Sequence, residues 1–499
     1  MPWGLIALTL MAATACKSGG SADGDGGGST LPGAIQGVVR EIGTGTPVVG
    51  AVVSDGTSSA TTDAAGRYTL SDKPVGPYSL DVAAAGYAPS SRVAQVASAA
   101  TTTMDWHLTA APGQYLDLTD PSHVATPAEA MDYVILAWND LGMHCAQDDY
   151  SYFLILPPYN TLHVQVIHRG FGLVTSGITV SYAFPTKTDP KLHTNFWTYA
   201  SAYGFSLAPN EGLTGNFTSG TMALDANGIG FVATGIPITP YDDDGTWNPY
   251  GKALISVRDG GGTLLQTAEV VAPVSTELNC FNCHGANAFL DILQTHDRRS
   301  GTHLAADQAV GTLHLCAECH ADNVLALPGT PGVKNLSHAM HGFHADKVFA
   351  SAGSGPTACY NCHPGPATRC LRGGMFHAGQ SCQDCHGDMA GMAAGLAAGR
   401  APWLQEPRCA DCHGARYGEN PGTLYRNSVL ENSPIMVPGP SLMDGKLYCE
   451  GCHNSTHAEL RSTLPADASI PQKFQGDDYW LWNCWVCHTD YMPAPSMHR

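Results

Sequence analysis

Seven copies of one pentapeptide, Cys-x-x-Cys-His, dominate the second half of this 499-residue chain. They begin at Cys280, Cys316, Cys359, Cys382, Cys409, Cys449 and Cys484, and each ends in a histidine directly after its second cysteine. The second cysteines are Cys283, Cys319, Cys362, Cys385, Cys412, Cys452 and Cys487. The terminal histidines are His284, His320, His363, His386, His413, His453 and His488. From Cys280 to the C-terminus the chain has only about 31 residues per motif, too few to wrap seven conventional cores. Whatever the motifs bind has to supply much of the core of this region.

C-x-x-C-H is the attachment sequence of c-type haem. Two thiols add across the two vinyl groups of one porphyrin, so they must lie about one short turn apart. The next residue then presents its imidazole to the iron as an axial ligand. Zinc ribbons also use C-x-x-C pairs, but they need no His directly after each pair. With 22 His in 499 residues, chance would place one after all seven pairs with odds on the order of 10⁻¹⁰. A uniform C-x-x-C repeat is also a poor disulfide framework. Seven covalently bound haems c are therefore expected.

The repeat region resembles the multihaem c-type cytochromes of metal-respiring bacteria, the outer-membrane and extracellular electron-transfer kind. Trp138-Asn-Asp-Leu-Gly-Met-His-Cys145 and Leu156-Pro-Pro-Tyr-Asn-Thr-Leu-His163 resemble a segment that accompanies haem repeats in some of them. The resemblance implies that residues 276–499 form a loop-rich, sparsely helical heptahaem domain.

The second axial ligand decides the chemistry. Two imidazoles fill the iron's coordination sphere, exclude substrate and favour low-potential electron transfer. Fifteen His lie outside the motifs, enough for bis-His ligation throughout. Ser337-His-Ala-Met-His-Gly-Phe-His344 places His338, His341 and His344 at helical i, i+3 and i+6 spacing, so neighbours share a face. His341 and His344 resemble distal ligands of related cytochromes. His296, His457 and His498 are the next candidates, followed by His303, His377 and His144. His314 is read as a neighbour's ligand or a surface residue, and His163 as a strand-face residue. His107, His123, His168 and His193 are read as ordinary residues. Met340, Met375, Met389 and Met497 could replace an imidazole and raise the potential.

Three of the 17 cysteines remain. Leu5 to Ala15 is an apolar run closing on Ala-Ala-Thr-Ala-Cys16, which resembles a secretory signal with a lipobox. Residues 1–16 are thus expected to be a signal peptide with Cys16 lipidated, and 17–32 a Gly/Ser linker. Lys17 in place of aspartate points to the outer membrane, facing the periplasm or the cell surface. In an oxidising compartment Cys145 and Cys370 form a candidate disulfide, the alternative being two buried thiols.

Two all-β, sandwich-like domains are expected before the repeats. In residues 33–112, short alternating runs resemble the carboxypeptidase regulatory-like domain. They carry Gly50-Ala-Val, Thr62-Asp-x-x-Gly-x-Tyr68, Gly76-x-Tyr78 and Gly86-Tyr87. Residues 125–275 hold further strands and Asn-Gly or Asp-Gly-Gly turns. The acidic loop Tyr241-Asp-Asp-Asp-Gly-Thr-Trp-Asn248 makes Asp242 and Asp244 candidate calcium ligands, although its register is not that of an EF-hand. The alternative is a solvated turn.

A net charge of −19 excludes a nucleic-acid partner on electrostatic grounds and suits cationic ones. The expected role is relaying electrons to and from other cytochromes, periplasmic carriers, an extracellular oxidant or a mineral, without catalysis. Two alternatives stand beside it: a haem-dependent reductase with one open iron, and a subunit of a cytochrome filament. Catalytic reductases often carry an altered motif, whereas all seven motifs here end in His.

Overall fold

The computed structural model describes residues 31–41, 46–87, 90–96, 99–104, 106–108, 131–322, 324–352, 356–365, 367–400, 406–407, 425–426 and 447–487. The expectations for Cys16, His123, Cys409, Cys412, His413, His488, Met497 and His498 fall outside these residues, as do the signal peptide and most of the linker.

The N-terminal unit is a sandwich of two four-stranded sheets. Its strands are β1 (Gly33–Glu41), β2 (Val52–Ser54), β3 (Ser59–Thr61), β4 (Arg67–Lys73), β5 (Gly76–Ala83), β6 (Ser90–Val96), β7 (Thr101–Thr103) and β8 (Trp106–Leu108). One sheet pairs β1 with β4, β7 and β8, and the other runs β3-β2-β5-β6. The alternation along β1 buries Ile35, Gly37 and Val39 and turns the intervening residues outward. These meet Val53, Tyr68, Leu70, Leu80, Val82 and Trp106 in a closed core. Two polar atoms in that core are matched to each other's region: Tyr68 Oη donates to Met104 O at 2.7 Å, and Trp106 Nε1 donates to Tyr68 Oη at 3.0 Å.

The second unit is also a pair of sheets. The first contains β9 (Tyr133–Asn139), β11 (Asn160–His168), β12 (Gly172–Leu173), β15 (Ala223–Leu224) and β16 (Phe231–Ile236). The other contains β13 (Ile178–Ala183), β14 (Ser219–Thr221), β17 (Lys252–Asp259) and β18 (Leu264–Val271). A short parallel ladder joins β10 (His144–Cys145) to β19 (Val274–Ser275). β17 reads directly from sequence, since Ala253, Ile255 and Val257 are buried between exposed or half-buried neighbours. The turn after it closes through Gly262, at φ +87, rather than through Gly260 or Gly261. β11 is different, because its residues are buried from Asn160 to Ile167. A strand buried on both faces needs a cover on the side away from the partner sheet.

That cover comes from the far end of the chain. Leu447, Tyr448, Cys452, Ile470, Phe474, Leu481 and Val486 belong to the same core as Leu136, Leu162 and Val164. Backbone and side-chain bonds stitch the two together: Tyr448 N donates to Gln165 Oε1 at 3.1 Å, and Gly170 N donates to Cys487 O at 3.0 Å. A boundary at 275/276 therefore divides the sequence but not this core. The remainder is loop-rich and sparsely helical. Its helices are α2 (Phe281–His284), α3 (Ala288–Ser300), α4 (Leu304–Ala309), α5 (Leu336–Ala352), α6 (Pro356–Cys359), α7 (Gly374–His377), α8 (Cys382–His386), α9 (Met389–Ala397), α10 (Cys449–His453) and α11 (Ser469–Phe474). α1 (Phe196–Tyr199) belongs to the second β-unit.

Candidate haem-binding sites

Each described motif is a single helical turn. In the first, Cys283 N and His284 N both reach Cys280 O, at 3.2 and 3.0 Å. The same closure recurs at Cys316–His320 and Cys359–His363. Positions i, i+3 and i+4 of a turn share one side, so both thiols and the imidazole face the same way. The chain then leaves sharply: Gly285, Gly387 and Asn454 follow motifs one, four and six at φ +71, +73 and +66. Glycine takes this conformation without steric cost, and asparagine tolerates it better than most residues.

Four motif histidines face a second histidine across a nearly constant gap. Ring centres lie 6.3 Å apart for His284–His344, 6.1 Å for His296–His320, 6.1 Å for His341–His363 and 6.2 Å for His386–His457. The interplanar angles, in contrast, run from 25° to 87°. Rings packed directly on one another in this protein sit closer, as Tyr133–His168 at 4.6 Å and His168–Phe171 at 4.3 Å. A fixed separation with a free twist is what a metal between two nitrogens imposes. Metal–imidazole bonds of about 2.0 Å, with each ring centre about 1.1 Å behind its nitrogen, put the centres about 6.2 Å apart.

The tautomers suit this geometry. His341 Nδ1 bonds to Ser337 O and His344 Nδ1 to Met340 O, each at 2.8 Å. His320 Nδ1 bonds to Lys334 O at 2.6 Å and His457 Nδ1 to Leu141 O at 2.8 Å. His296 Nδ1 meets Thr302 Oγ1 at 2.8 Å, and His284 Nδ1 meets Asp291 Oδ2 at 2.6 Å. Holding the proton on Nδ1 leaves the Nε2 lone pair for a metal. Burial pushes His386 down to about 4 and lowers His296, His341 and His363, favouring the neutral ring that ligates. His457 goes the other way: burial disfavours its charge, but Cys370 and Glu459 outweigh that and raise it to about 9. A metal on Nε2 would displace that proton.

Of the sequence candidates, His296, His341, His344 and His457 thus enter pairs. His144 is buried in the second β-unit, its Nε2 3.0 Å from Pro157 O and its ring edge-on to Tyr159. His303 stands exposed ahead of α4, His338 lies one turn before His341, and His377 lies beside Phe376 at the end of α7. His163 stacks on Trp138 with Nε2 2.5 Å from Asp140 Oδ1, a strand residue with a structural partner. At the sixth motif, His453 faces Trp480 at 5.9 Å.

Neighbouring motifs touch. The Cys359 and Cys382 thiols hydrogen-bond, and Cys362 lies within electrostatic reach of Cys280 and Cys283. Cys145 and Cys370 are free cysteines whose thiols also hydrogen-bond, and the Cys370 thiol bonds to the His457 ring as well. Among the described residues no three His, Cys, Asp or Glu side chains gather to hold a metal ion. A porphyrin supplies four iron ligands itself, so a pair of imidazoles is the relevant unit. Asp242 accepts from Thr186 Oγ1 at 2.9 Å and pairs with Lys187 Nζ at 3.2 Å, so a lysine supplies the positive charge there. Asp244 accepts from Thr246 N at 2.9 Å.

The mount for these sites was not legible as a motif. Arg372, 1% exposed, is bidentate to Asp467 at 2.7 and 2.8 Å and donates to Gly142 O at 2.6 Å. Gly142, at φ +74, has no room for a side chain, since a Cβ would lie 2.2 Å from Thr456 O. Leu141 and Gly142 belong to the Trp138–Cys145 stretch singled out in the sequence. Glu277 accepts from the backbone N–H of Gly365, Ala367 and Thr368 and from Thr368 Oγ1, pinning the loop after the third motif.

Comparison with known families agrees with one part of this organisation. Residues 34–109 match the carboxypeptidase regulatory-like domain. The domain covers the first sandwich and none of the motifs. No curated protein matches the chain. Among solved structures, a cohesin–X-dockerin complex from Acetivibrio cellulolyticus is 21% identical over 15% of this chain and 51% of its own, with a TM-score of 0.13. BcpA, the major pilin subunit of Bacillus cereus, is 12% identical over 50% of this chain and 70% of its own, at 0.14. A putative carbohydrate binding protein from Bacteroides uniformis is 9% identical over 49% and 99%, also at 0.14. The chain spans about half the length of the first of these, and all three scores are far below that of a shared fold.

Proposed function

We propose that the chain is a multihaem c-type cytochrome that relays electrons, exported and tethered by a lipid on Cys16. The single observation that carries this is the set of four imidazole pairs, each joining a motif histidine to a second histidine at 6.1–6.3 Å. When bound, haem c under two imidazoles supplies a low-potential one-electron centre with no open position for substrate.

The chain's own residues perform three tasks. The cysteines of each turn anchor the porphyrin edge. The paired histidines would hold the iron of a bound haem, and six of the eight have their Nδ1 protons held by carbonyl, hydroxyl or carboxylate oxygens. The linking helices keep neighbouring sites close. α5 carries His341 and His344, which pair with motifs three and one. α3 carries His296, which pairs with motif two, and Asp291, which contacts His284 of motif one. The Cys359–Cys382 contact joins motifs three and four. These links order the sites two–one–three–four, a contiguous path for electron transfer. Partners are other cytochromes or small electron carriers, and an extracellular oxidant or mineral as terminal acceptor.

The test is intact mass after expression with a haem-attachment system. The mass of the chain from Cys16 onward, with its lipid, plus seven haems is expected. Polypeptide mass alone, or stoichiometric zinc, would overturn the proposal.

A further inference from the structure

Among the axial candidates, His284 has a different kind of neighbour. Six of the eight paired imidazoles have a defined Nδ1 hydrogen bond. In five of them the direct acceptor is neutral: the carbonyls of Lys334, Ser337, Met340 and Leu141, or the hydroxyl of Thr302, which in turn donates to Asp297 Oδ1 at 2.6 Å. In His284 it is the Asp291 carboxylate, at 2.6 Å.

With Nε2 committed to iron, Nδ1 is the donor, and the acceptor decides how far its proton is drawn away. A carboxylate leaves the ring with more imidazolate character than a carbonyl does. The ligand becomes more basic, and a more basic ligand stabilises ferric over ferrous iron. Asp291 sits on α3, seven residues after His284, so the first motif and the helix that follows it set this contact locally. The Asp291 side chain is 48% exposed, so water screens part of its charge. His344, on the opposite side of the same site, keeps a neutral carbonyl partner.

We propose that Asp291 is a positioning residue that, through His284, holds the haem of the first motif at a lower reduction potential than those of motifs two, three and four. The inference rests on the haem reading above. Along the path two–one–three–four, site one is then the point from which an electron moves on most favourably in either direction.

The experiment is a potentiometric titration of the full-length holoprotein followed by visible and low-temperature EPR spectra, with haem content measured first. Asp291→Asn keeps the shape and the hydrogen-bonding capacity but removes the charge. It is expected to raise the reduction equilibrium constant of one haem about tenfold, or about 59 mV for one electron. The other six should stay in place. Asp291→Glu, which restores the carboxylate, should return that haem towards its native potential. His344→Met should move the same component and so identify it as site one. Seven unchanged potentials in a fully loaded Asp291→Asn protein would overturn the inference, as would a shift spread over several haems. A native protein without haem would overturn the haem reading itself, and the initial haem measurement separates that failure from the others.

Discussion

At the scale of single residues, the proposed ligands can be tested apart from the groups that position them. His344 pairs with one motif histidine only, so His344→Ala should convert one haem from low spin to high spin and leave the rest unchanged. EPR spin quantitation reads this, and two converted haems would contradict the pairing. Arg372 and Asp467 are 1% and 0% exposed, so Arg372→Ala leaves a buried carboxylate without its partner. A loss of about 3–5 kcal/mol is expected in denaturant unfolding. Replacing both by apolar residues of similar size should cost far less, and equal losses would contradict the role given to the pair. For Glu277, burial would raise the carboxyl, but hydrogen bonds from Thr368, Ala367 and Gly365 outweigh it and hold it below its ordinary 4.5. A depressed folded value contributes stability above pH 4.5 that is lost as pH falls through the folded value. Glu277→Gln should therefore flatten the acid limb of the thermal-stability profile; an unchanged limb would contradict this. Spacing shows the repeated Cys-x-x-Cys-His turn and the shared helical face of His338, His341 and His344, while His341 and His344 are singled out by resemblance. The Leu141 carbonyl could not be read in either way, because a backbone oxygen carries no sequence signature. Asp291 could have been found by asking which acid falls on the helix that follows a motif.

At the scale of elements, α5 is the crosspiece between two sites. His341 and His344 lie three residues apart and face the histidines of motifs three and one, so their placement depends on one uninterrupted helix. Met340→Pro removes a backbone donor and clashes with the preceding turn, at a cost of about 3 kcal/mol. Two haems should lose their low-spin signature together in this variant, against one for either histidine alone. A single lost signature would show that the sites do not share the helix. The strands divide into legible and illegible for a physical reason. β1 and β17 alternate because one face meets water, and a period of two shows which residues point inward. β11 is buried on both faces, so its pattern cannot show that the second face is covered by a segment about 280 residues further on.

At the scale of the molecule, the second β-unit and the C-terminal motifs are one packed body. Phe474, 4% exposed, lies in the core that contains Leu136 and Val164. Phe474→Ala should cost about 3–5 kcal/mol and lower the unfolding of the β-unit as well as of the C-terminal segment. Independent unfolding of residues 131–275 would contradict the shared core. Along the chain, the strands of residues 33–275 precede the short helices of the later part. A linear order of this kind does not reveal closure between distant segments. Contacts such as Asn227–Tyr448 and Arg169–Trp485 leave no local trace in the sequence. The regulatory-like domain was legible because its core lies within its own 76 matched residues.

The central claim is that paired imidazoles fill the axial positions of covalently bound haem. Low-temperature EPR of the oxidised, haem-loaded protein tests it most directly. Low-spin ferric signals from at least the four sites with described pairs are expected, with each signal lost singly on replacing His296, His341, His344 or His457. High-spin signals from those four sites in the native protein would contradict it.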